Sequence, residues 1–122
     1  MKREHFIELV REALREVPSP FKERLPEVDI VVKRRPTASD LRAAGLAADE
    51  SMYGFYRGVP LTERDSGYNL VAPDVIDIYQ EPLEEDFLDE RELVAEIRAT
   101  VLHELGHFFG IDDDRLDELG LG

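Results

Sequence analysis

The stretch ELVAEIRATVLHELGHFFGIDDD (Glu92–Asp114) combines a helical hydrophobic pattern with two closely spaced histidines. Its apolar residues recur at intervals of three and four, which predicts an amphipathic helix with one buried stripe. Asp89 and Glu92 resemble a capping arrangement at the helix start, and the helix is expected to continue to Phe109. The residues expected to form the buried stripe are Val94, Ile97, Val101, Leu105 and Phe108.

The two histidines, His103 and His107, lie one turn apart on the opposite side of this predicted helix, with Glu96 and Thr100 behind them. Imidazoles at positions i and i+4 project in parallel, so both can hold one metal ion. Glu104 is offset from His103 by about 100° around the helix axis. We therefore expect Glu104 beside the ion, where it can hold a water molecule, in the H-E-x-x-H arrangement.

A hydrolytic zinc site needs a third protein ligand and an open coordination position. Gly110 directly follows the last helical turn, where a glycine can adopt a left-handed conformation and fold the chain back toward the histidines. The candidate third ligands are then Asp112, Asp113 and Asp114. The register HExxHxxGxxD favours Asp113, whereas Asp112 and Asp114 are also candidates for helix capping.

The length of 122 residues predicts a single domain, residues 1–122, with one core. The formal charge of −13 argues against nucleic acid and anionic membranes as partners, because both require a basic surface. The absence of cysteine excludes disulfides and thiolate zinc sites. With no signal-peptide pattern and no long apolar run, a cytoplasmic protein is expected.

The remaining pattern predicts an α+β fold, with a small mixed or antiparallel sheet packed against two long helices. The first helix is expected over Arg3–Val17, and the second carries the HExxH residues. Predicted strands are VDIVVK (28–33), GFYRGVPL (54–61) and VIDIYQ (75–80). Between them, Ser39 or Asp40 is a candidate cap for a short helical turn, and TERDSGYN (62–69) is a predicted turn or loop. EPLEEDFLDE (81–90) is expected to be a solvated acidic connection, in which Pro82 is compatible with VIDIYQ as an edge strand.

The motif HELGHFFGIDD (103–113) resembles that of metzincin-type metallopeptidases, in which HExxH is followed by xxG and a third ligand, usually histidine. Aspartate in that position resembles the snapalysin group. The chain is even more similar to the small bacterial zincin-like metallopeptidase domains, in length, element order and the position of HExxHxxGxxD. This resemblance implies zinc (Zn2+) held by His103, His107 and Asp113, with Glu104 as general base.

The sequence differs from the larger families in two respects. Its methionines, Met1 and Met52, both precede the motif, so a Met-turn beneath the metal is not expected. Nine residues follow Asp113, so the lower wall of a protease cleft is expected to be missing, or to be supplied by LDELGLG (116–122) or by a partner or second copy of the chain.

These observations predict a zinc metallopeptidase that cleaves peptide bonds by metal-activated water, with Glu104 as general base. Its expected partner is a peptide or protein substrate, lying extended along VIDIYQ or GFYRG. The alternative is a non-catalytic, metal-stabilised module that binds peptides or regulates a partner. A third possibility is a structural fold without metal. A purely structural metal site would have no use for a carboxylate beside the ion, which favours hydrolysis.

Overall fold

The structure is a computed structural model that describes residues 1–61 and 74–118. Within these residues it contains five α-helices, one 3₁₀ helix and three strands, which confirms the α+β class. The helices are α1 (Arg3–Arg15), the 3₁₀ helix (Lys22–Glu27), α2 (Ala38–Ala43), α3 (Gln80–Asp86), α4 (Glu90–Phe108) and α5 (Asp113–Glu118), and the strands are β1 (Val28–Lys33), β2 (Gly54–Arg57) and β3 (Asp74–Tyr79).

The described strands form one mixed sheet in the order β1-β3-β2. The central strand, β3, runs parallel to β1 and antiparallel to β2. All six residues of β3 are buried, as expected for a strand with neighbours on both sides. The prediction that VIDIYQ could be an edge strand was therefore wrong. Pro82 lies in the first turn of α3, which follows β3 directly, so it does not interrupt the ladder.

The hydrophobic core lies where α1 and α4 contact each other and α4 contacts the sheet. The whole predicted stripe of α4 is buried, and α1 buries Phe6, Leu9, Val10 and Ala13 as its helical pattern predicts. From β3, Ile76 and Ile78 enter the same core and are fully buried. Packing against two elements thus fixes the orientation of α4, which carries both histidines.

The opposite face of β3 carries a buried carboxylate, Asp77, that is fully shielded from solvent. It accepts two hydrogen bonds from the Arg57 guanidinium, at 2.8 and 3.0 Å, and lies 3.3 Å from Nζ of Lys33. Because these partners lie on β2 and β1, this charge cluster ties both outer strands to the central one.

Three other local predictions need correction. The acidic connection is largely helix α3, in which Pro82 and Leu83 are buried, whereas Glu85 and Asp86 are exposed as predicted. The cap of α2 is Thr37, whose hydroxyl accepts a hydrogen bond from the Asp40 amide in a capping box. Strand β2 ends at Arg57, earlier than predicted.

The predicted loop at 62–69 lies outside the described residues. Among the helices of residues 1–61 and 74–118, none has the length and apolar character needed to cross a membrane.

Candidate metal centre

Helix α4 brings its two histidines to the surface next to the sheet edge. Asp89 caps the helix as predicted, since its side chain accepts hydrogen bonds from the amides of Arg91 and Glu92. The rings of His103 and His107 have centroids 4.8 Å apart, and each side chain is about one-third exposed. Both imidazoles are thus reachable from solvent while their helix is anchored in the core.

The chain reverses direction directly after α4. Gly110 has a φ of 79°, the left-handed conformation that its position predicted. The Gly110 amide donates to the His107 carbonyl at 2.9 Å, and the Ile111 amide donates to the Gly106 carbonyl at 2.8 Å. These two bonds form a Schellman motif, which ends the helix and directs the next residues back along it.

This reversal brings Asp113, rather than its neighbours, to the histidines. Its Oδ1 lies 3.1 Å from Nε2 of His103 and 2.9 Å from Nε2 of His107. The side chain of Asp112 instead caps α5 by accepting a hydrogen bond from the Arg115 amide at 2.8 Å. One carboxylate oxygen therefore meets both ring nitrogens at a common point.

A glycine within α4 allows α5 to pack this closely. A Cβ at Gly106 would lie only 2.4 Å from Cδ2 of Leu116, a fully buried residue of α5. The Gly106–Leu116 contact therefore holds α5, and with it Asp113, against the histidine-bearing helix. This role of Gly106 was not predicted from the sequence, although a glycine inside a helical pattern often has a packing reason.

Glu104 is buried, with 5% of its surface exposed, and it points toward the sheet edge. Its Oε1 accepts a hydrogen bond of 2.7 Å from the backbone amide of Tyr56 in β2. The same oxygen lies 3.5 Å from Nδ1 of His107, and Oε2 lies 3.9 Å from Nε2 of His103. No sequence signal pointed to the backbone amide of Tyr56 as the partner of Glu104, because the contact depends on how β2 meets α4.

The electrostatics of this cluster favour a positive charge. The hydrogen bond with Glu104, and then that with Asp113, outweigh partial burial and raise the pKa of His107 to about 9. The hydrogen bond from His107 lowers the pKa of Asp113 in turn. The carboxylates thus stabilise an added cation at the histidines, whether it is a proton or a metal ion.

The donor set also fits zinc. Two imidazole nitrogens and one carboxylate oxygen are common zinc ligands, and bonds of about 2.0–2.2 Å would place neighbouring ligand atoms about 3.4 Å apart in a tetrahedron. The observed separations of 2.9 and 3.1 Å need to widen by only a few tenths of an ångström. His103, Glu104 and His107 also form a possible metal-binding group, with ligand atoms within 4.8 Å of one another. The Asp113 oxygen lies closer to both imidazoles, at 2.9 and 3.1 Å from their Nε2 atoms, than the Glu104 oxygens do, at 3.5 and 3.9 Å from the nearest ring nitrogens.

Comparisons with known proteins found a similar structure and a matching family. A conserved hypothetical protein from Thermus thermophilus has a similar fold, with a TM-score of 0.53 and 24% identity over 98% of this chain and 97% of that one. No curated protein sequence matches the chain. The family model of zincin-like metallopeptidases matches residues 25–122, which include both histidines, Glu104 and Asp113. The chain therefore belongs to the zincin-like metallopeptidase family.

Proposed function

We propose that this family member is a zinc-dependent peptidase in which His103, His107 and Asp113 hold the metal and Glu104 is the general base. The observation that carries the proposal is the setting of Glu104. It is a buried carboxylate, held by one backbone amide, next to two imidazoles that share a carboxylate oxygen. Such a group is oriented for proton transfer rather than neutralised by a permanent cation.

Glu104 can divide its two oxygens between positioning and catalysis. Oε1 is occupied by the Tyr56 amide, which leaves Oε2, on the His103 side, to accept a proton from the attacking water. When bound, zinc supplies a Lewis acid for the substrate carbonyl and a coordinated water whose pKa is lowered to about 7. The water oxygen bonds to the carbonyl carbon, and Glu104 passes the proton to the amine nitrogen as the C–N bond breaks.

We place the binding site for an extended substrate along the outer edge of β2. The Tyr79 amide donates to the Tyr53 carbonyl, so the alternating ladder turns the backbone of Gly54 and Tyr56 away from β3. The Tyr56 amide donates to Glu104, so the proposed pairing uses the backbone of Gly54 and the carbonyl of Tyr56. Within the described part of the chain, β2 is the sheet edge beside Glu104. A peptide that pairs with this edge places its backbone next to the metal centre.

The test compares the zinc-reconstituted protein with its Glu104→Gln variant on a mixed peptide library, with products identified by mass spectrometry. We expect cleavage to fall by about 10²–10⁴-fold, because general-base catalysis is lost. Zinc content measured by elemental analysis should stay near one ion per chain in both proteins.

Cleavage by Glu104→Gln at the parental rate would overturn the role of the base. A protein that takes up no zinc even after soaking would overturn the metal site. Zinc uptake with peptide binding but no cleavage by the parent would instead establish the non-catalytic binding module.

A further inference from the structure

A cavity of about 290 Å³ opens directly beside the candidate metal centre. Its described lining comes from one stripe of α4 and from the start of β2: Tyr53, Gly54, Glu96, Ala99, Thr100, His103 and Glu104. Its size is near the lower end of ligand sites, about 300 Å³, so it suits one long side chain rather than a whole peptide.

The cavity runs along α4. His103 and Glu104 lie at one end, and Glu96 lies two helical turns away, about 10 Å along α4. A substrate residue whose backbone lies at Glu104 can therefore reach Glu96 only with an extended side chain.

The walls of the cavity expose more apolar than polar surface. Ala99, Thr100 and Gly54 line the cavity together with Tyr53, and the methyl group of Thr100 lies next to Gly54. Gly54 is required here, because a Cβ at that position would lie 2.6 Å from Cγ2 of Thr100. Such walls suit the methylene stem of a lysine or arginine, which packs along apolar surface while its charged group extends beyond.

The far end of the cavity is acidic. Within residues 1–61 and 74–118, no hydrogen bond or ion pair engages the half-buried Glu96 carboxylate, and no lysine or arginine lines the cavity. Tyr53 donates a hydrogen bond to Asp86, which places a second carboxylate near the same wall. The pKa of Tyr53 is raised to about 12 by that bond, then by partial burial and by the charges of Asp86 and Glu96.

We propose that Glu96 makes this cavity a specificity pocket for a cationic side chain, lysine or arginine, next to the scissile bond. The inference rests on the proposed peptidase function for its role in cleavage. The recognition itself follows from the pocket, in which an aliphatic stem lies between Gly54 and Ala99 and the charged group pairs with Glu96.

The first experiment measures cleavage of peptides that differ at one position beside the scissile bond, occupied by lysine, arginine, norleucine or glutamate. We expect the zinc-reconstituted parent to prefer the cationic peptides over norleucine by about fivefold, which is the scale of a partly exposed ion pair. Glu96→Gln should remove this preference. Glu92→Gln is the matched control, since it removes the same charge from an exposed position one turn earlier on α4 and should leave the preference intact.

The second experiment measures binding without cleavage. Acetylated and amidated lysine and norleucine are titrated into the isotopically labelled protein while the amide resonances of Ala99 and Thr100 are followed. We expect about fivefold tighter binding of the lysine compound to the parent and equal binding of both compounds to Glu96→Gln.

The two experiments separate the possible failures. Lysine-selective binding with no cleavage of any peptide would overturn the peptidase function but leave the pocket assignment standing. Cleavage without a cationic preference, or with a preference that Glu96→Gln leaves unchanged, would overturn the pocket assignment alone. Equal binding of lysine and norleucine together with no cleavage would overturn both.

Discussion

Asp77 and Glu104 are both buried carboxylates, but their partners differ in kind. Asp77 is paired with the permanent cations Arg57 and Lys33. Glu104 is held by the neutral Tyr56 amide and lies near imidazoles, whose charge depends on pH and on metal binding. The comparison indicates that the charge of Asp77 serves to join strands, whereas that of Glu104 remains available for chemistry.

The sharpest test of this difference is a pair of isosteric substitutions. Asp77→Asn should lower the free energy of unfolding by about 2 kcal/mol, because it removes a buried charge whose two cations stay behind. In EDTA above about pH 9, where His107 is neutral, Glu104→Gln should change it by less than about 1 kcal/mol, because glutamine still accepts the Tyr56 hydrogen bond. Urea denaturation measures both.

Asp29→Asn serves as the control for this pair, because Asp29 is an exposed residue of the neighbouring strand β1 and should have a negligible effect. Equal losses of unfolding free energy at Asp77 and Glu104 would mean that both carboxylates are structural, and the proposed difference between them would be wrong.

A second test concerns the run of three aspartates after Gly110. Asp113→Asn should weaken zinc binding by about a hundredfold, because it replaces the anionic carboxylate that meets both histidines with a neutral amide. Asp114→Asn, an exposed neighbour in the same run, should leave zinc affinity near the parental value. Competition with a chromogenic chelator measures both affinities. If Asp114→Asn weakens zinc binding and Asp113→Asn does not, the third ligand is Asp114 instead.

A third and smaller effect is the response of stability to pH. In metal-free protein the pKa of His107 is raised from 6.5 to about 9, so protonated His107 stabilises the fold below about pH 6.5. This contribution is lost as the pH rises through 9. The melting temperature in EDTA should therefore fall across that range.

Stabilisation by added zinc should grow over the same pH range, because the ion no longer displaces a proton from His107. Since the Asp77 cluster contains no imidazole, Asp77→Asn should lower the melting temperature without changing this pH response. A melting temperature in EDTA that does not change with pH would contradict the stabilising role of protonated His107.

The local features of the fold could be predicted from sequence because short-range patterns determine them. The stripe of α4, the Asp89 cap and the left-handed Gly110 each depend on residues within a turn or two. The juxtaposition of Asp113 with both histidines follows from the same local geometry.

The order of the strands could not be predicted in this way. The central position of β3 depends on strands that are distant in the chain. Asp77 interrupts the apolar run of β3, and its burial is possible only because Arg57 and Lys33 from the outer strands pair with it. Pro82 was misinterpreted because a proline after a strand is equally suited to the first turn of a helix. The Tyr56 contact with Glu104 and the cavity beside it depend on that same strand order.

The hydrogen bond from Tyr56 to Glu104 has a consequence for how folding and metal loading relate. It joins residues 48 positions apart, whereas the proposed zinc ligands all lie between His103 and Asp113. A partly folded chain could thus capture zinc through its local α4–α5 segment before the slower, long-range strand pairing fixes Glu104, the proposed base. Metal content would then report local folding, and only the rate of peptide cleavage would report completion of the tertiary structure.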